Sequence, residues 1–262
     1  MDTEARSGSY GTHRVTPLVH QTWRNRILAT HSPYASASRR SVSALHPGFK
    51  HWLWTDGDIE HFIEHHVAHV LPDLAAIYRE LPEKIMRIDF VRYLWMYVFG
   101  GMYADLDMIV RRSFNDLFTS EASVYFIERA WTTGGSEFDV SVHQAWLASA
   151  PGHPIWLELM RFIGRQLRAG ETRVLDLTGP NGVSRAVSEL GLLERFPDVR
   201  VLPAECLFQE GWSKTPKELA YCQHLPTATW RNPPAKVALN VALRHLRRFP
   251  QLNQLRRALR AG

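Results

Sequence analysis

The sequence predicts an α/β protein with a mainly parallel central sheet, because short apolar runs alternate along the chain with segments of helical periodicity. The chain has 262 residues, of which 45% are hydrophobic, and this is enough apolar material for a sizeable core. The longest helical pattern runs into Gly100–Gly101 and then into another apolar run. That order is typical of a helix that ends at glycine and leads directly into a strand.

Each predicted element has a local signal. The strands are expected where apolar residues run between polar turns, at 15–23, 51–58 (ending in a turn), 102–110 and 123–128. The helices are expected where apolar residues recur at three- and four-residue steps, at 58–70, 72–81, 82–99, 154–167 and about 182–190. Pro72 and Pro82 are predicted to lie in the first turns of their helices, where proline is tolerated.

Polarity and charge divide the chain into three predicted segments. Residues 1–14 form a polar, flexible N-terminus, residues 15–235 form the folded domain, and residues 236–262 form a tail with seven cations and no acid. The rest of the chain, residues 1–235, is nearly neutral, with 24 Lys and Arg against 26 Asp and Glu. Because nucleic-acid-binding proteins usually spread cations over one face of the fold, no nucleic-acid partner is predicted.

The tail has an apolar stripe of leucines beside its arginines, at helical spacing. Such a pattern is typical of an interfacial helix on an anionic membrane surface. A helix pair that packs on the body or on a partner explains the pattern equally well. No apolar run approaches the ~18 residues needed to span a bilayer, and no secretory signal is evident. The sequence therefore predicts a soluble, cytoplasmic protein, with peripheral contact to the inner face of the membrane if the tail binds lipid.

The two cysteines and three histidines suggest no metal site of their own. Cys206 and Cys222 match no metal-ligand spacing and are expected to be small buried residues. His61, His65 and His69 follow one helical face, and a solvated stripe is favoured over a metal site. Trp52 and Trp54, which lie on one face of the second strand, are expected in the core.

Two aspartates stand out in the apolar segment "GGMYADLDMIV" (100–110). On a strand, Asp105 and Asp107 would project from the same face. At the carboxyl end of a strand in an α/β sheet, that face opens toward the ligand crevice. Two carboxylates there suit Mg²⁺ or Mn²⁺, which would also relieve the repulsion between them. The segment predicts a divalent-metal site.

A second charged pair lies in the preceding helix, "KIMRIDFVRYLWMY". Asp89 and Arg92 are three residues apart and share a face. Because the helix is apolar almost all round, this pair is expected to face a functional cavity rather than open solvent.

The string "DFVRYLWMYVFGGMYADLD" (89–107) resembles the core signature of glycosyltransferase family 32, which includes yeast-type α-mannosyltransferases and mannosyl-inositol-phosphorylceramide synthases. The family pattern is roughly Asp-x-x-Arg-Tyr, then Gly-Gly-x-Tyr-x-Asp-x-Asp. Further blocks occur in the family's order, and together they extend the resemblance over residues 16–230. They are "TPLVHQTWRN" (16–25), "HPGFKHWLWTD" (46–56), "LTGP" (177–180) and "HLPTATW" (224–230).

The resemblance implies a GT-A fold and a retaining, metal-dependent transfer of a hexose from a nucleotide sugar. The implied donor is GDP-mannose or a UDP-hexose, and the expected acceptor is a hydroxyl of a glycan or glycolipid. The implied cofactor is Mn²⁺ or Mg²⁺, held by Asp105, Asp107 and His224. The catalytic set implied by the family is Asp89, Arg92, Asp105 and Asp107.

The family also implies a donor-binding set. It comprises Trp23 beside the nucleobase, Asp89, Arg92, Tyr93, Asp105, Asn181 near the sugar, and Trp230 closing over the donor. Two positions depart from the family pattern: Thr229 replaces the usual serine, and Pro226 stands where an aromatic residue is common.

Two other classes of function remain open from the residues alone. A metal-dependent phosphoester hydrolase would use the aspartate pair, but it would need further ligands on the metal and would not need Asp89, Arg92 or Trp23. An inactive nucleotide-sugar-binding module is the other alternative, and the complete Asp105, Asp107 and His224 set argues against it.

Overall fold

The computed structural model describes residues 14–27, 34–129, 138–209, 213 and 216–227, together with positions 236, 239 and 243. The predicted flexible N-terminus therefore lies almost wholly outside the described residues, as do Trp230, Thr229 and most of the basic tail. Among the described tail positions, Lys236 is exposed, Leu239 is 37% exposed and Leu243 is buried.

The strands of the described residues belong to a central sheet and a smaller second sheet. They are β1 (Leu18–Thr22), β2 (Lys50–Trp54), β3 (Gly101–Ala104), β4 (Met108–Val110), β5 (Val124–Glu128), β6 (Val142–Ser149), β7 (Val199–Leu202), β8 (Leu207–Gln209) and β9 (Cys222–His224). The central sheet has six strands in the order β2-β1-β3-β6-β5-β7. The second has three in the order β4-β9-β8.

The central sheet is mainly parallel, which confirms the predicted fold class. β1 pairs in parallel with β2 and β3, and β5 pairs in parallel with β7. The exception is β6, which runs antiparallel to both β3 and β5. This strand was not predicted from the sequence, although one of its backbone carbonyls contacts the site described below.

Helices cover the two faces of the sheet. They are α1 (Ala35–Leu45), α2 (Asp56–Phe62), α3 (Ala68–Val70), α4 (Pro72–Glu80), α5 (Lys84–Val98), α6 (Ile155–Arg168), α7 (Val174–Leu177), α8 (Pro180–Glu189) and α9 (Leu192–Arg195). A π-helical turn, Ile63–Val67, joins α2 to α3. Helices α4, α5, α6 and α8 share one apolar core with the sheet, and α1 and the second sheet bound a core on the opposite face.

Helix α5 is the central helix of the fold, and its start differs from the prediction. Glu83 has extended backbone angles, so the helix begins at Lys84 instead of Pro82. Most of the helix is buried, including Asp89 and Arg92. Burial on nearly every side explains why its apolar residues do not form a single stripe.

The predicted strand 102–110 was wrong, because the chain changes sheets in its middle. β3 ends at Ala104, and β4 begins at Met108 in the second sheet. The Met108 amide donates to the Asp105 carbonyl at 3.0 Å and closes a turn. Asp105 and Asp107 therefore lie in the turn between two strands, where their side chains are 29% and 15% exposed. This placement explains how an apolar segment accommodates two carboxylates.

Several smaller predictions can be compared with the structure. Cys206 and Cys222 are both buried and free, as expected. Trp54 packs against α5, with its ring centroid 4.9 Å from that of Trp95. None of the described helices has the length and apolar character needed to cross a bilayer.

Candidate active site

The predicted metal ligands meet in space. Asp105 and Asp107 lie in the turn after β3, and His224 is the last residue of β9. Register places His224 opposite Met108 at the start of β4. One ligand atom from each of the three side chains lies within 4.8 Å of the others. Two carboxylates and an imidazole are a suitable donor set for Mn²⁺, and for Mg²⁺ when substrate oxygens complete its shell.

The turn is held in place by the two glycines that end α5. Gly100 and Gly101 have φ angles of 64° and 88°, which L side chains rarely adopt. A Cβ atom on Gly101 would lie 2.5 Å from the backbone oxygen of Leu18. A Cβ atom on Gly100 would lie 2.6 Å from the backbone nitrogen of Pro151. The glycine pair therefore lets the chain pass from α5 into β3 close against β1. This fixes the start of the acidic turn, residues 105–107, which contains Asp105 and Asp107.

The Asp89–Arg92 pair is buried, and it touches the acidic turn. Nη2 of Arg92 donates to Oδ1 of Asp89 at 2.6 Å, and the side chains of Arg92 and Asp89 are 4% and 3% exposed. Nη1 donates to the carbonyl of Gln144 in β6 at 3.0 Å and lies 3.7 Å from Oδ1 of Asp105. Arg92 therefore links its ion pair with Asp89 to the metal-type cluster, which consists of Asp105, Asp107 and His224.

Two hydroxyl groups complete these contacts. The Thr178 side chain donates to Oδ2 of Asp89 at 3.0 Å. The predicted "LTGP" turn therefore helps to hold Asp89 in its ion pair with Arg92. The Tyr103 hydroxyl donates to Oδ1 of Asp105 at 2.5 Å. The guanidinium of Arg92 lies over the Tyr103 ring, 4.7 Å from its centroid. Both carboxylates beside Arg92 are therefore oriented by a neighbouring hydroxyl as well as by charge.

Asp107 holds the segment that follows β9. Its Oδ2 accepts hydrogen bonds from the amide and hydroxyl of Thr227 at 2.9 and 3.0 Å. Its backbone oxygen accepts from the Leu225 amide at 2.9 Å. Oδ1 lies 3.4 Å from Nε2 of His224. One oxygen of the carboxylate thus supports the chain, and the other faces the imidazole.

The acidic groups differ in their proton affinity because their surroundings differ. Burial raises the pKa of Asp89 to about 6, although Arg92 opposes the rise. Burial also raises the pKa of Asp105 against the effect of Arg92, and the charge of Asp107 adds to the rise. Burial alone would raise the pKa of Asp107, but His224 and the hydrogen bonds from Thr227 hold it below its ordinary value. A divalent cation would relieve the repulsion between Asp105 and Asp107.

The other described donor-binding residues that were predicted lie on three different elements of the fold. The amide of Trp23 donates to the Trp54 carbonyl at 3.0 Å, which places Trp23 directly after β1. The Tyr93 hydroxyl donates to the Thr178 carbonyl at 2.8 Å and also contacts Gln144, so it braces the site from α5. Asn181 lies in the first turn of α8, where its side-chain amide bonds to Arg129 and Asp176. Trp230 lies outside the described residues.

Sequence reasoning missed several residues of the site. Gln144 stands in no motif, although its backbone carbonyl accepts from Arg92 and its side chain contacts Tyr93. His143 is buried, and its ring centroid lies 6.1 Å from that of His224. Burial, together with the nearby His224 and Arg129, lowers the pKa of His143 to about 3. Gln209 contacts His224 from β8. Tyr103, Thr178 and Thr227 had a signal, since all three stand in blocks that resemble the family.

A separate cavity of about 450 Å³ lies at the edge of the sheet, between β2 and α2. Trp52, Trp54, Phe62 and Phe99 supply its aromatic lining. None of the three metal-type ligands lines it. The converging charged groups therefore lie at the acidic turn and not in this cavity.

Comparisons with known proteins agree with the fold and with the DXD signature. Residues 32–124 match the family described as a glycosyltransferase sugar-binding region containing a DXD motif. The chain is 29% identical over 151 residues to inositol phosphoceramide mannosyltransferase 3 of Schizosaccharomyces pombe, covering 58% of this chain and 38% of the relative. It is 25% identical over 228 residues to inositol phosphoceramide mannosyltransferase 1 of the same yeast, covering 86% and 65%.

Among solved structures, the PaToxG glycosyltransferase aligns over 71% of each chain with a TM-score of 0.54 and 16% identity. The fold is that of the GT-A class, and residues 32–124 match the DXD-containing sugar-binding region found in glycosyltransferases. Within that class, the match to the DXD-containing region and the similarity to the yeast mannosyltransferases support glycosyltransferase family 32, whose signature the segment from Asp89 to Asp107 resembles. The chain spans 38% and 65% of the lengths of these two curated relatives.

Proposed function

We propose that this protein transfers a mannosyl group from a nucleotide sugar, with GDP-mannose the first donor to test against UDP-hexoses, to a hydroxyl of a glycan or glycolipid. The similarity to two inositol phosphoceramide mannosyltransferases supports the choice of sugar. The observation that carries the proposal is the 3.7 Å contact between Arg92 and Asp105, which joins the Asp89–Arg92 ion pair to the acidic turn. One side chain thereby connects a hydroxyl-binding pair with a metal-type cluster.

Asp105, Asp107 and His224 fit a divalent cation, Mn²⁺ or Mg²⁺, because their ligand atoms converge and include two neighbouring carboxylates. When bound, the cation would act as a Lewis acid that stabilises negative charge on the nucleoside diphosphate. His224 lies on β9 and Asp107 directly precedes β4, so pairing of these two strands holds the ligand set together.

The chain's own groups account for the rest of the proposed chemistry. The buried Asp89 is oriented by Thr178 and Arg92 to accept hydrogen bonds from hydroxyls of the transferred sugar. The positive charge of Arg92 would stabilise the negative charge that develops on the diphosphate leaving group. Trp23 offers a flat ring for the nucleobase. Retention of configuration, with the acceptor hydroxyl attacking from the leaving-group side, is part of the proposal.

Donor hydrolysis is the direct test. The purified chain is incubated with Mn²⁺ and a panel of GDP- and UDP-sugars, and release of free sugar is measured with and without EDTA. One donor should be hydrolysed in a metal-dependent manner, and Asp107→Asn should lower that rate by roughly 100-fold or more.

Asp73→Asn is the matched control, because Asp73 is a half-exposed residue of α4 that pairs with Arg161. It should hydrolyse the donor at the wild-type rate. Hydrolysis of phosphomonoesters without any sugar release would instead favour a phosphoester hydrolase, and retained activity in Asp107→Asn would contradict the assignment.

A further inference from the structure

His224 has a neighbour at each nitrogen of its ring. Strand β8 runs parallel to β9, and register places Gln209 opposite His224. Nδ1 of His224 lies 3.2 Å from Oε1 of Gln209, and Nε2 lies 3.4 Å from Oδ1 of Asp107. The imidazole therefore has one nitrogen toward an amide and the other toward a carboxylate.

The position of the hydrogen between Nδ1 and Gln209 determines whether Nε2 carries a hydrogen or a free lone pair. A carbonyl oxygen only accepts, so with Oε1 facing it the hydrogen must be on Nδ1. In a neutral imidazole, Nε2 then presents a lone pair to Oδ1 of Asp107. Two acceptors facing each other repel, unless a proton or a cation lies between them. The arrangement thus prepares Nε2 and Asp107 to share a positive ion.

The backbone of Gln209 is itself fixed. The Gln209 amide donates to the Ser213 hydroxyl at 2.7 Å, and the Ser213 amide donates to the Gln209 carbonyl at 3.0 Å. Two hydrogen bonds with Ser213 therefore hold the backbone of Gln209 in place at the end of β8, where its side chain contacts His224. Partners of this kind behind a metal-binding histidine typically change metal affinity by about 10- to 100-fold.

We infer that Gln209 is a positioning residue for the metal site: it keeps the hydrogen of His224 on Nδ1, so that Nε2 is available to a divalent cation. This inference rests on the proposed function, because it assumes that His224 is a metal ligand. The reversed amide would place its NH₂ group against Nδ1 and move the hydrogen to Nε2. His224 would then donate to Asp107 and close the site to the ion.

Substitutions at Gln209 separate the two arrangements. Gln209→Glu supplies a carboxylate that only accepts, and it therefore retains the hydrogen on Nδ1. Gln209→Leu removes the acceptor while keeping a similar volume. Gln223→Leu is the matched control, because Gln223 precedes His224 in β9 but contacts Arg111 instead of the cluster.

Mn²⁺ binding is measured on the full chain without any sugar donor, by electron paramagnetic resonance of the free ion. Gln209→Leu should weaken Mn²⁺ binding about tenfold or more. Gln209→Glu should bind at least as tightly as wild type, and Gln223→Leu should match wild type. ¹⁵N NMR of the His224 ring should report hydrogen on Nδ1 in wild type and Gln209→Glu, with mixed positions in Gln209→Leu. Thermal unfolding of each variant checks that the fold is intact.

Two results would overturn the inference alone: wild-type affinity in Gln209→Leu, or equal losses in Gln209→Leu and Gln209→Glu, which would indicate a merely structural role. Absence of Mn²⁺ binding by the wild-type chain would overturn the proposed metal site first, and the inference with it. The outcomes of the two hypotheses are therefore distinguishable.

Discussion

Nη1 of Arg92 lies 3.7 Å from Oδ1 of Asp105, while Nη2 of the same guanidinium lies 2.6 Å from Oδ1 of Asp89. One buried cation therefore stands between two carboxylates that belong to different elements of the fold. Its third contact, to the Gln144 carbonyl, adds the antiparallel strand β6. Helix α5, the acidic turn and β6 are joined at this point.

The first prediction concerns the energy of this buried pair. Asp89→Asn should lower the free energy of unfolding by roughly 3 kcal/mol, because it leaves a desolvated guanidinium with less compensating charge. Replacing both partners, as Asp89→Leu with Arg92→Met, should recover much of that loss, since apolar groups of similar volume tolerate the same burial. Urea unfolding at pH ~7.5, where both groups are charged, measures both effects.

The double variant is also a control for function. It should remain folded and yet show no donor hydrolysis, because the charges that face the sugar and diphosphate are gone. Equal instability of the single and double variants would contradict the electrostatic explanation.

The second prediction concerns the pH dependence of stability through His20. The His20 ring is fully buried: Nε2 donates to the Gly100 carbonyl at 3.0 Å, and Nδ1 accepts from the Trp54 indole at 3.0 Å. Both nitrogens are satisfied only in the neutral ring. Burial lowers the pKa of His20 to about 4, although the hydrogen bond to Gly100 opposes the shift.

The sign follows from proton uptake. Between pH 6.5 and about 4 the unfolded chain protonates this histidine and the folded chain does not, so stability is lost as the pH falls through that window. The full loss is roughly 3 kcal/mol at the acid end. Asp89, whose pKa is raised to about 6, acts in the opposite direction. The measurement is therefore the difference between wild type and His20→Gln.

His20→Gln should flatten the slope of unfolding free energy against pH, because an amide can make the same two hydrogen bonds without titrating. His69→Gln is the matched control, since this exposed side chain meets similar water in the folded and unfolded states. An unchanged slope in His20→Gln would show that the buried ring does not govern this window.

The third prediction concerns the basic tail. If residues 236–262 form an interfacial helix, the full chain should sediment with anionic vesicles and detach as salt is raised, because each Lys or Arg near such a surface contributes about 1 kcal/mol. Vesicles of neutral phosphatidylcholine are the lipid control. Arg247→Gln, Arg248→Gln, Arg256→Gln and Arg257→Gln combined should abolish sedimentation. Equal binding by this variant would favour a tail that packs on protein.

The elements that local sequence rules control were predicted well. Pro72 opens α4, and the glycine pair ends α5, because both depend on backbone properties of those residues alone. The buried pair Asp89–Arg92 was also predictable, since its spacing and apolar neighbours are local. These features require no knowledge of distant strands.

The features that depend on long-range pairing were not predicted. Strand 102–110 breaks because β4 leaves the central sheet to pair with β9, and nothing in its alternation marks the change. The partners of Arg92 and His224 include a backbone carbonyl of β6 and a side chain of β8. Their roles arise from strand order and register, so a resemblance to a family motif could identify the ligands but not the residues that position them.

The last prediction separates two reasons why a glycine is required. Gly101 and Gly152 both have positive φ angles, of 88° and 74°. A Cβ atom on Gly101 would lie 2.5 Å from the Leu18 carbonyl oxygen, whereas a Cβ atom on Gly152 would have no neighbour within 4 Å. Gly152→Ala should therefore lower the free energy of unfolding by about 1 kcal/mol, the cost of the backbone conformation alone.

Gly101→Ala should cost at least about 2 kcal/mol more, because β3 must also move away from β1. That movement shifts the acidic turn, so donor hydrolysis should fall in Gly101→Ala and remain unchanged in Gly152→Ala. Urea unfolding and initial rates measure the two effects on the same preparations. Equal losses of stability in the two variants would mean that close approach to Leu18 is not what fixes the turn, and the position of Asp105 would need another explanation.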